Sequence, residues 1–335
     1  MHSPDLEIEN FEALLAYLFE TGRLPRGERP RIERLRGGVS NRTVLLERPC
    51  GEAWVLKQAL AKLRVAVDWF SPPGRIGREA EGMRWLARLL PPGSVPELLF
   101  EDPAHHLLAM RAVPGRRSWK SMLLAGAIDP PLVGQFARML AAIHSGGATP
   151  QAREAFSDRS WFESLRLEPY YTYTGTQAPE AAAYLDGLAA ATRRERHTIV
   201  HGDYSPKNIL VHDGRLILID HEVIHFGDPA FDVGFSLAHL LSKAHHVPGR
   251  RQEFAAAARL YWTTYAAAAG AFAAPGARAA RHALGCLLAR VAGRSPLEYL
   301  SAVERSRQRA AAVALMAEPP SGVPELIGEF LRRLP

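Results

Sequence analysis

The segment from His201 to Asp232 reads HGDYSPKNILVHDGRLILIDHEVIHFGDPAFD and concentrates chemistry-bearing side chains. His201-Gly202-Asp203 is followed, after four residues, by Asn208, and Asp220 ends an apolar run one hairpin later. Phosphoryl transfer from ATP needs parts of this kind close together. One carboxylate must orient or receive the proton of the acceptor hydroxyl, and hard oxygen ligands must hold Mg²⁺ against the β- and γ-phosphates. Asp203 suits the first task. The side-chain oxygen of Asn208 and the Asp220 carboxylate suit the second.

These residues need a scaffold, and the pattern along the chain supplies one in two textures. Residues 10–21 read as a short amphipathic helix. Strand-like runs follow at 31–36, 43–47 and 53–58, the last two separated by a turn at Pro49-Cys50-Gly51-Glu52. Residues 77–90 place Ala80, Met83, Leu86, Leu89 and Leu90 at helical spacing, and Pro91-Pro92 stops that helix. Two further strands at 96–100 and 106–112 meet at Asp102-Pro103. Beyond Pro114-Gly115 the pattern is helical, from Leu132–His144 to the Ala/Leu-rich stretches after 233, interrupted by a β-like island at 198–220. The expected architecture is α+β and bilobal: residues 1–112 a small sheet with one crossing helix, residues 113–335 a larger helical lobe.

The Asp203-to-Asn208 spacing equals that of the kinase catalytic loop H-R-D-x-x-x-x-N. Taken together, HGDYSPKN, Ile219-Asp220-x-Glu222 and Gly227-Asp228-Pro229-x-x-Asp232 resemble the aminoglycoside phosphotransferase, choline kinase and methylthioribose kinase group, small-molecule kinases of protein-kinase-like fold. His221 stands where that family usually has an aromatic residue. The resemblance implies ATP and Mg²⁺ as cofactors and a small-molecule hydroxyl as acceptor. It also implies roles in the sheet. Lys57, in WVLKQAL, would contact the α- and β-phosphates, and Glu79 would be its ion-pair partner, with Glu81 the nearest rival. The loop Arg36-Gly37-Gly38-Val39-Ser40-Asn41 joins two strands, and its backbone amides, with Gly38, Ser40 and Asn41, would cradle phosphate. Backbone groups between Met110 and Val113, Ala112 among them, would meet the adenine. Ser205 would touch the γ-phosphate and His201 would brace the loop. Lys207 reads equally well as a solvated side chain. Asp232 would anchor the catalytic loop, and Asp228 would begin a turn.

Two alternatives share these residues. His221-Glu222-Val223-Ile224-His225 is a literal H-E-x-x-H, a zinc-protease signature that works only on a helix, where both histidines reach one ion. Here it continues a strand and stops at Gly227-Asp228-Pro229. A non-catalytic nucleotide-binding relative is the other alternative, and it typically lacks the base, the metal ligand or the lysine. Asp203, Asn208, Asp220 and Lys57 are all present. The chain lacks the G-x-G-x-x-G, D-F-G and A-P-E segments of protein kinases. The adjacent pairs His105-His106 and His245-His246 diverge on any regular element, so surface positions are expected for them.

Composition narrows the setting. The net charge of +6 is mild and no basic run of five occurs, so nucleic acid is not an expected partner. Two cysteines, Cys50 and Cys286, make no disulfide framework, and the opening residues are acidic where a secretory signal needs positive charge. A cytoplasmic setting is expected. Phe254 to Ala274 is long enough to span a bilayer but carries Arg259, Thr263 and Thr264, so a buried helix is expected and no membrane association. From Val233 to Pro335 there are 13 Lys and Arg against six Glu, whereas a polycationic acceptor calls for carboxylates. A neutral or anionic acceptor, such as a sugar or nucleoside-like compound, is therefore expected over a polyamine-like one. The aromatic stretch Trp161 to Tyr173 is a candidate stacking surface for it, with core packing the alternative.

Overall fold

The computed structural model describes residues 6–35, 38–65 and 68–335. Helix α1 (Phe11–Glu20) starts where the Asn10 side chain accepts from the Ala13 amide, a side-chain cap that satisfies one of the free donors of the first turn. Strands β1 (Arg31–Arg34), β2 (Asn41–Glu47) and β3 (Ala53–Ala59) follow, then helix α2 (Arg75–Leu89) and strands β4 (Leu98–Asp102) and β5 (Leu107–Arg111). The five strands form one antiparallel sheet in the order β1-β2-β3-β5-β4.

Two-residue alternation along β3 assigns its faces. Trp54 and Leu56 pack with Val44, Leu46, Leu107 and Ala109 against Leu14 and Leu18 of α1. Val55, Lys57 and Ala59 therefore point the other way. On that face Ala59, Leu108 and Met110 join Ile76, Ala80 and Met83 of α2 in the large core that continues into the helices. The lysine thus lies on the sheet face that looks toward the rest of the molecule.

After β6 (Arg117–Ser118) come α3 (Trp119–Leu124), α4 (Pro130–Gly146), α5 (Pro150–Ala155) and the short α6 (Ser160–Phe162). A ten-residue π-helical stretch, Glu163–Thr172, leads into α7 (Tyr173–Gln177) and α8 (Ala182–Arg194). The segment after α8 then carries β7 (Thr198–Val200), β8 (Ile209–His212), β9 (Arg215–Leu218) and β10 (His225–Gly227). Helices α9 (Pro229–His246), α10 (Arg251–Ala269), α11 (Gly276–Ala292), α12 (Ala302–Ala317) and α13 (Val323–Arg332) complete the chain. A sheet-bearing first part and a helical remainder are the α+β arrangement expected from the pattern. The β-like island is richer than expected. The β8–β9 hairpin turns at Asp213-Gly214, both at positive φ as a tight two-residue turn requires. In addition β6 joins the open edge of β8, and β10 pairs with β7. Segments of two and three residues are too short to show a period of two.

The Ala-rich stretch forms most of α10, which buries Phe254, Ala255, Ala258, Tyr261 and Tyr265. Among the described residues no helix is long and apolar enough to cross a membrane. Helix α9 is buried along almost its whole length, and Gly234 is one reason. A Cβ there would lie 2.4 Å from the His282 Cβ and 2.6 Å from the Ala283 backbone nitrogen on α11. Gly234→Ala gains about 1 kcal/mol of helix propensity. Overpacking against a backbone that cannot step aside costs about 1–3 kcal/mol. Clash outweighs propensity, so the variant is expected to unfold at lower urea. A midpoint at or above wild type would show that α9 and α11 separate without cost.

Candidate active site

Lys57 reaches across from the sheet to two carboxylates. Its Nζ lies 2.6 and 2.8 Å from the two oxygens of Glu79 on α2 and 2.7 Å from Asp220 Oδ1. Glu79 is fully buried, while Glu81 sits on the outer side of the helix and pairs with Arg78 at 3.3 Å. Close packing holds α2 in place: a Cβ on Gly82 would lie 2.9 Å from the His221 Cβ, so the glycine lets the helix rest on the segment that carries Asp220. Burial alone would pull Lys57 down, yet Asp220 and Glu79 outweigh it and hold the ammonium above its ordinary value. Burial likewise pushes the Glu79 carboxyl up, to about 7, against the pull of Lys57. For Asp220 the nearby Lys57 and Lys207 overcome burial and keep the carboxylate ionised. Asp220 has φ +69, a left-handed conformation that a non-glycine residue adopts at a cost.

The carboxylate oxygens of Glu79, Asp220 and Glu222 come within 4.8 Å of one another. Glu222 is held by Arg75 Nε at 3.0 Å and by Asn41 Nδ2 at 3.1 Å. Arg75 is wholly buried and also donates to the Leu60 and Ser71 carbonyls, at 2.9 and 3.0 Å, and to the Ser40 carbonyl. It therefore ties the strand-joining loop to the carboxylate cluster. Within that loop Gly38, Ser40 and Asn41 line the cleft under the sheet, while Arg36 and Gly37 lie outside the described residues.

Asp203 stands on the other side of Asp220. Its Oδ2 accepts from Asn208 Nδ2 at 2.7 Å and pairs with Arg166 Nη2, also at 2.7 Å. Both contacts fall on one oxygen, so Oδ1 is the atom left to an acceptor hydroxyl. The Asn208 amide nitrogen also bonds the Asp203 carbonyl, at 3.0 Å, which leaves its side-chain oxygen for a cation. Arg166 was not a candidate on sequence grounds. It belongs to the π-helical stretch, whose Pro169 lacks an amide proton, and Nε donates to the Gly202 carbonyl at 2.9 Å. The Asp203 charge offsets its burial.

Asp232 anchors the loop. Its oxygens accept from the His201 and Gly202 amides at 2.7 and 2.8 Å and lie 3.3 Å from His144. Gly202 has φ +78, and a Cβ there would meet the Val223 carbonyl at 3.0 Å. Asp228 caps α9 at the Ala230 amide, 3.0 Å away. His201 Nδ1 accepts from the Asp203 amide at 3.2 Å, so its ring proton belongs on Nε2, which faces His221 Nδ1 at 3.1 Å.

As its place after a strand implied, H-E-x-x-H is not a metal-binding helix. Residues 221–224 are not helical and His225 opens β10. His221 meets His201, Glu222 turns to Arg75, and His225 donates to the Val223 carbonyl at 3.0 Å while stacking on Phe162 at 3.8 Å. The other histidine pairs also diverge: His105 meets Asp102 and His246 meets the Glu304 carboxylate, but His245, expected at the surface, is buried where α9 packs on α12 and lies 3.0 Å from the Glu304 carbonyl. Burial lowers His201, His221, His239 and His245, and takes His225 down to about 3. Each therefore binds its proton more weakly in the fold than in the unfolded chain, so its contribution to stability is complete above about pH 6.5 and is lost as pH falls. For His225 the loss is expected to be about 1.4 kcal/mol per pH unit from about pH 6.5 down to about pH 3. Urea unfolding at pH 7.5, 6.5 and 5.5 checks this, and His225→Phe should flatten the slope by one proton. An unchanged slope would show that His225 titrates normally.

Two cavities meet at these groups. One, of about 610 Å³, lies under the sheet and is lined by Val55, Lys57, Met110, Val113, Asn208, Ile219 and Asp220. Ala112 is not in its wall: its amide is bonded to the Ala53 carbonyl at 2.8 Å and it faces two outer hollows instead. The other, of about 570 Å³, opens toward the helices and is lined by Asp203, Ser205, Arg166, Tyr170, His239 and Arg290. The Ser205 hydroxyl is buried there without a protein partner. Ser40, Lys207 and Asp220 line both. From the aromatic stretch Tyr170 reaches this wall, whereas Phe162 and Tyr171 are core residues.

A sheet carrying a buried Lys–Glu pair over a loop with Asp203, Asn208 and Asp220 defines a protein-kinase-like fold of the small-molecule kinase type. The chain belongs to the phosphotransferase enzyme family, whose pattern matches residues 31–271. It is 27% identical over 249 residues to a methylthioribose kinase of Pectobacterium carotovorum, an alignment covering 64% of this chain and 62% of that enzyme. The chain thus matches somewhat under two thirds of the length of such relatives. Among solved structures it resembles a choline/ethanolamine kinase family protein of Mesorhizobium loti, with a TM-score of 0.57 at 19% identity, covering 96% of this chain and 98% of that one. It also resembles a macrolide 2′-phosphotransferase of Brachybacterium faecium, with a TM-score of 0.51 at 19% identity over 92% and 99% of the two chains.

Proposed function

We propose that this protein transfers the γ-phosphoryl group of ATP to a hydroxyl of a small neutral or anionic molecule. The observation that carries the reading is the meeting of the two cavities at Asp220, with Lys57 on one side and Asp203 on the other. In this reading residues 1–112 hold the nucleotide under the sheet, and residues 113–335 hold the acceptor.

Mg²⁺ fits the donor set: Asp220, the Asn208 side-chain oxygen and Glu222 are hard oxygen donors, and three carboxylates converge there. When bound, the ion would neutralise charge on the β- and γ-phosphates. Lys57, aligned by Glu79, holds the α- and β-phosphates. Loop residues Gly38, Ser40 and Asn41 border them, and the buried Ser205 hydroxyl supplies a donor near the transferred group. Backbone of Met110 and Val113 faces the base. Asp203, fixed through Oδ2 by Asn208 and Arg166, offers Oδ1 to the acceptor hydroxyl and takes its proton as the new O–P bond forms and ADP leaves.

The test is a screen of sugars, sugar acids, sugar phosphates, nucleosides, amino alcohols and aminoglycosides, with ADP release as readout. Acceptor-dependent ADP release is the expected result. Failure to bind Mg·ATP, together with no release on any class, would overturn the reading.

A further inference from the structure

The deep wall of the helical cavity carries positive charge that the protein itself does not neutralise. Arg290, on α11, is nine-tenths buried; its Nη1 donates to Tyr170 Oη at 2.9 Å and to the Ser295 carbonyl at 2.6 Å. Among the described residues it forms no ion pair, and its buried Nε has no partner. His239 and Lys243 stand one turn apart on α9, so they share a face. Buried His239 lines the same wall, and its Nε2 is also unpartnered. Lys243 is almost wholly buried, meets no carboxylate among the described residues, and donates only to the His239 carbonyl at 3.3 Å.

The acids of this cavity are already matched. Asp203 is paired with Arg166, Glu222 with Arg75, Asp220 with Lys57 and Glu298 with Lys120. Among the described residues Arg290 and Lys243 are the buried cations left over, whereas Lys207, also without an ion pair at this cavity, is exposed to water; buried charge without a counter-ion is costly. Burial first, then Lys120 and Arg290, pull the Lys243 ammonium down to about 7. An anion arriving at this wall would restore its charge. The Tyr170 and Ser295 contacts account for where Arg290 points, but neutral groups cannot balance a guanidinium.

We propose that Arg290, with His239 and Lys243 behind it, seats an anionic group of the acceptor, so that the substrate is a hydroxylated carboxylate or phosphate ester. The inference rests on the kinase reading for its hydroxyl, but not for its anion. Arg290, His239 and Asp203 line the same helical cavity, so a single acceptor would span the anion seat and Asp203.

Two measurements test it. The first compares kcat and KM for matched polyols, polyol carboxylates, polyol phosphates and amino alcohols. The anionic members should lead, and whether carboxylate or phosphate ranks higher identifies the group. Arg290→Gln should raise KM for them by about 10- to 100-fold, the loss of a charge-assisted bond, with kcat much less affected. Arg290→Lys should recover part of that loss, which a residue that only braces Ser295 would not show. Preference for neutral or cationic acceptors, or an unchanged KM in Arg290→Gln, would overturn the proposal.

The second measurement needs no turnover. With the nucleotide cleft filled by a magnesium complex of a non-hydrolysable ATP analogue, inorganic sulfate is titrated calorimetrically. One saturable site is expected in wild type, weakened about 10-fold or more in Arg290→Gln and in Lys243→Met. Thermal midpoints of both variants confirm that they fold, and Lys243→Met serves if Arg290→Gln does not. Absence of the site in wild type, or equal sulfate affinity in folded variants, overturns the anion seat. If the screen finds no acceptor and Mg·ATP does not bind, the kinase reading fails, and the same sulfate titration run without the analogue, on wild type and both variants, still decides the seat.

Discussion

Asp203→Asn is expected to lower turnover by about 10²–10⁴-fold while Mg·ATP binds with nearly wild-type affinity. The amide keeps the shape and one oxygen, so Arg166 and Asn208 retain something to hold, but it cannot take the proton of the acceptor hydroxyl. Asp220→Asn should divide its effects the other way. It removes an anionic oxygen from the carboxylate cluster and leaves Lys57 with Glu79 alone. Magnesium-dependent ATP affinity should therefore fall first, and turnover with it. Calorimetric titration of ATP with and without Mg²⁺, beside steady-state rates on a verified acceptor, reads both. Wild-type turnover in Asp203→Asn would sink the mechanism, and unaltered Mg²⁺ dependence in Asp220→Asn would remove that carboxylate from the metal site.

The second large effect belongs to Lys57, and it has two parts because the lysine is buried between Glu79 and Asp220. Lys57→Met removes the cation from two carboxylates at once. Breaking a buried pair costs about 3–5 kcal/mol, and the lower end applies here because Glu79, already pushed up to about 7, can take a proton. Nucleotide affinity and rate should fall as well. The double variant Lys57→Met/Glu79→Gln separates the two parts. Removing the stranded carboxylate should return much of the stability but none of the ATP affinity. Urea unfolding and ATP titration on the three proteins measure this. Unchanged ATP affinity in Lys57→Met would place the lysine outside the phosphate site.

Much of this site was legible in the chain, and the legible part has one physical character. His201, Asp203, Asn208, Asp220 and Asp232 lie within 32 residues, so covalent spacing and a hairpin turn suffice to bring them together. Lys57 likewise stood out as the one charged residue of the apolar strand run WVLKQAL. The turn at Asp213-Gly214 and the prolines that close α2 and open α9 act over a few residues and could be read as such. Arg259, Thr263 and Thr264 within an Ala-rich stretch marked α10 as a buried helix rather than a membrane span.

What the tertiary structure alone decided are contacts between residues far apart in the chain. Asn41 meets Glu222 across 181 positions and Lys57 meets Asp220 across 163, and no local period carries that information. Arg75 and Arg166 look like solvated arginines until packing buries them. One then binds Glu222 and four backbone carbonyls, and the other meets Asp203 from a π-helical turn that Pro169 interrupts. The same holds for Ala112, which a backbone bond to Ala53 turns out of the cavity under the sheet. Net charge from Val233 onward signalled a basic helical region, but charge has no address in a sequence. Only the packing of α9 against α11 places Arg290, His239 and Lys243 together, because burial rather than composition determines which cations lack a partner.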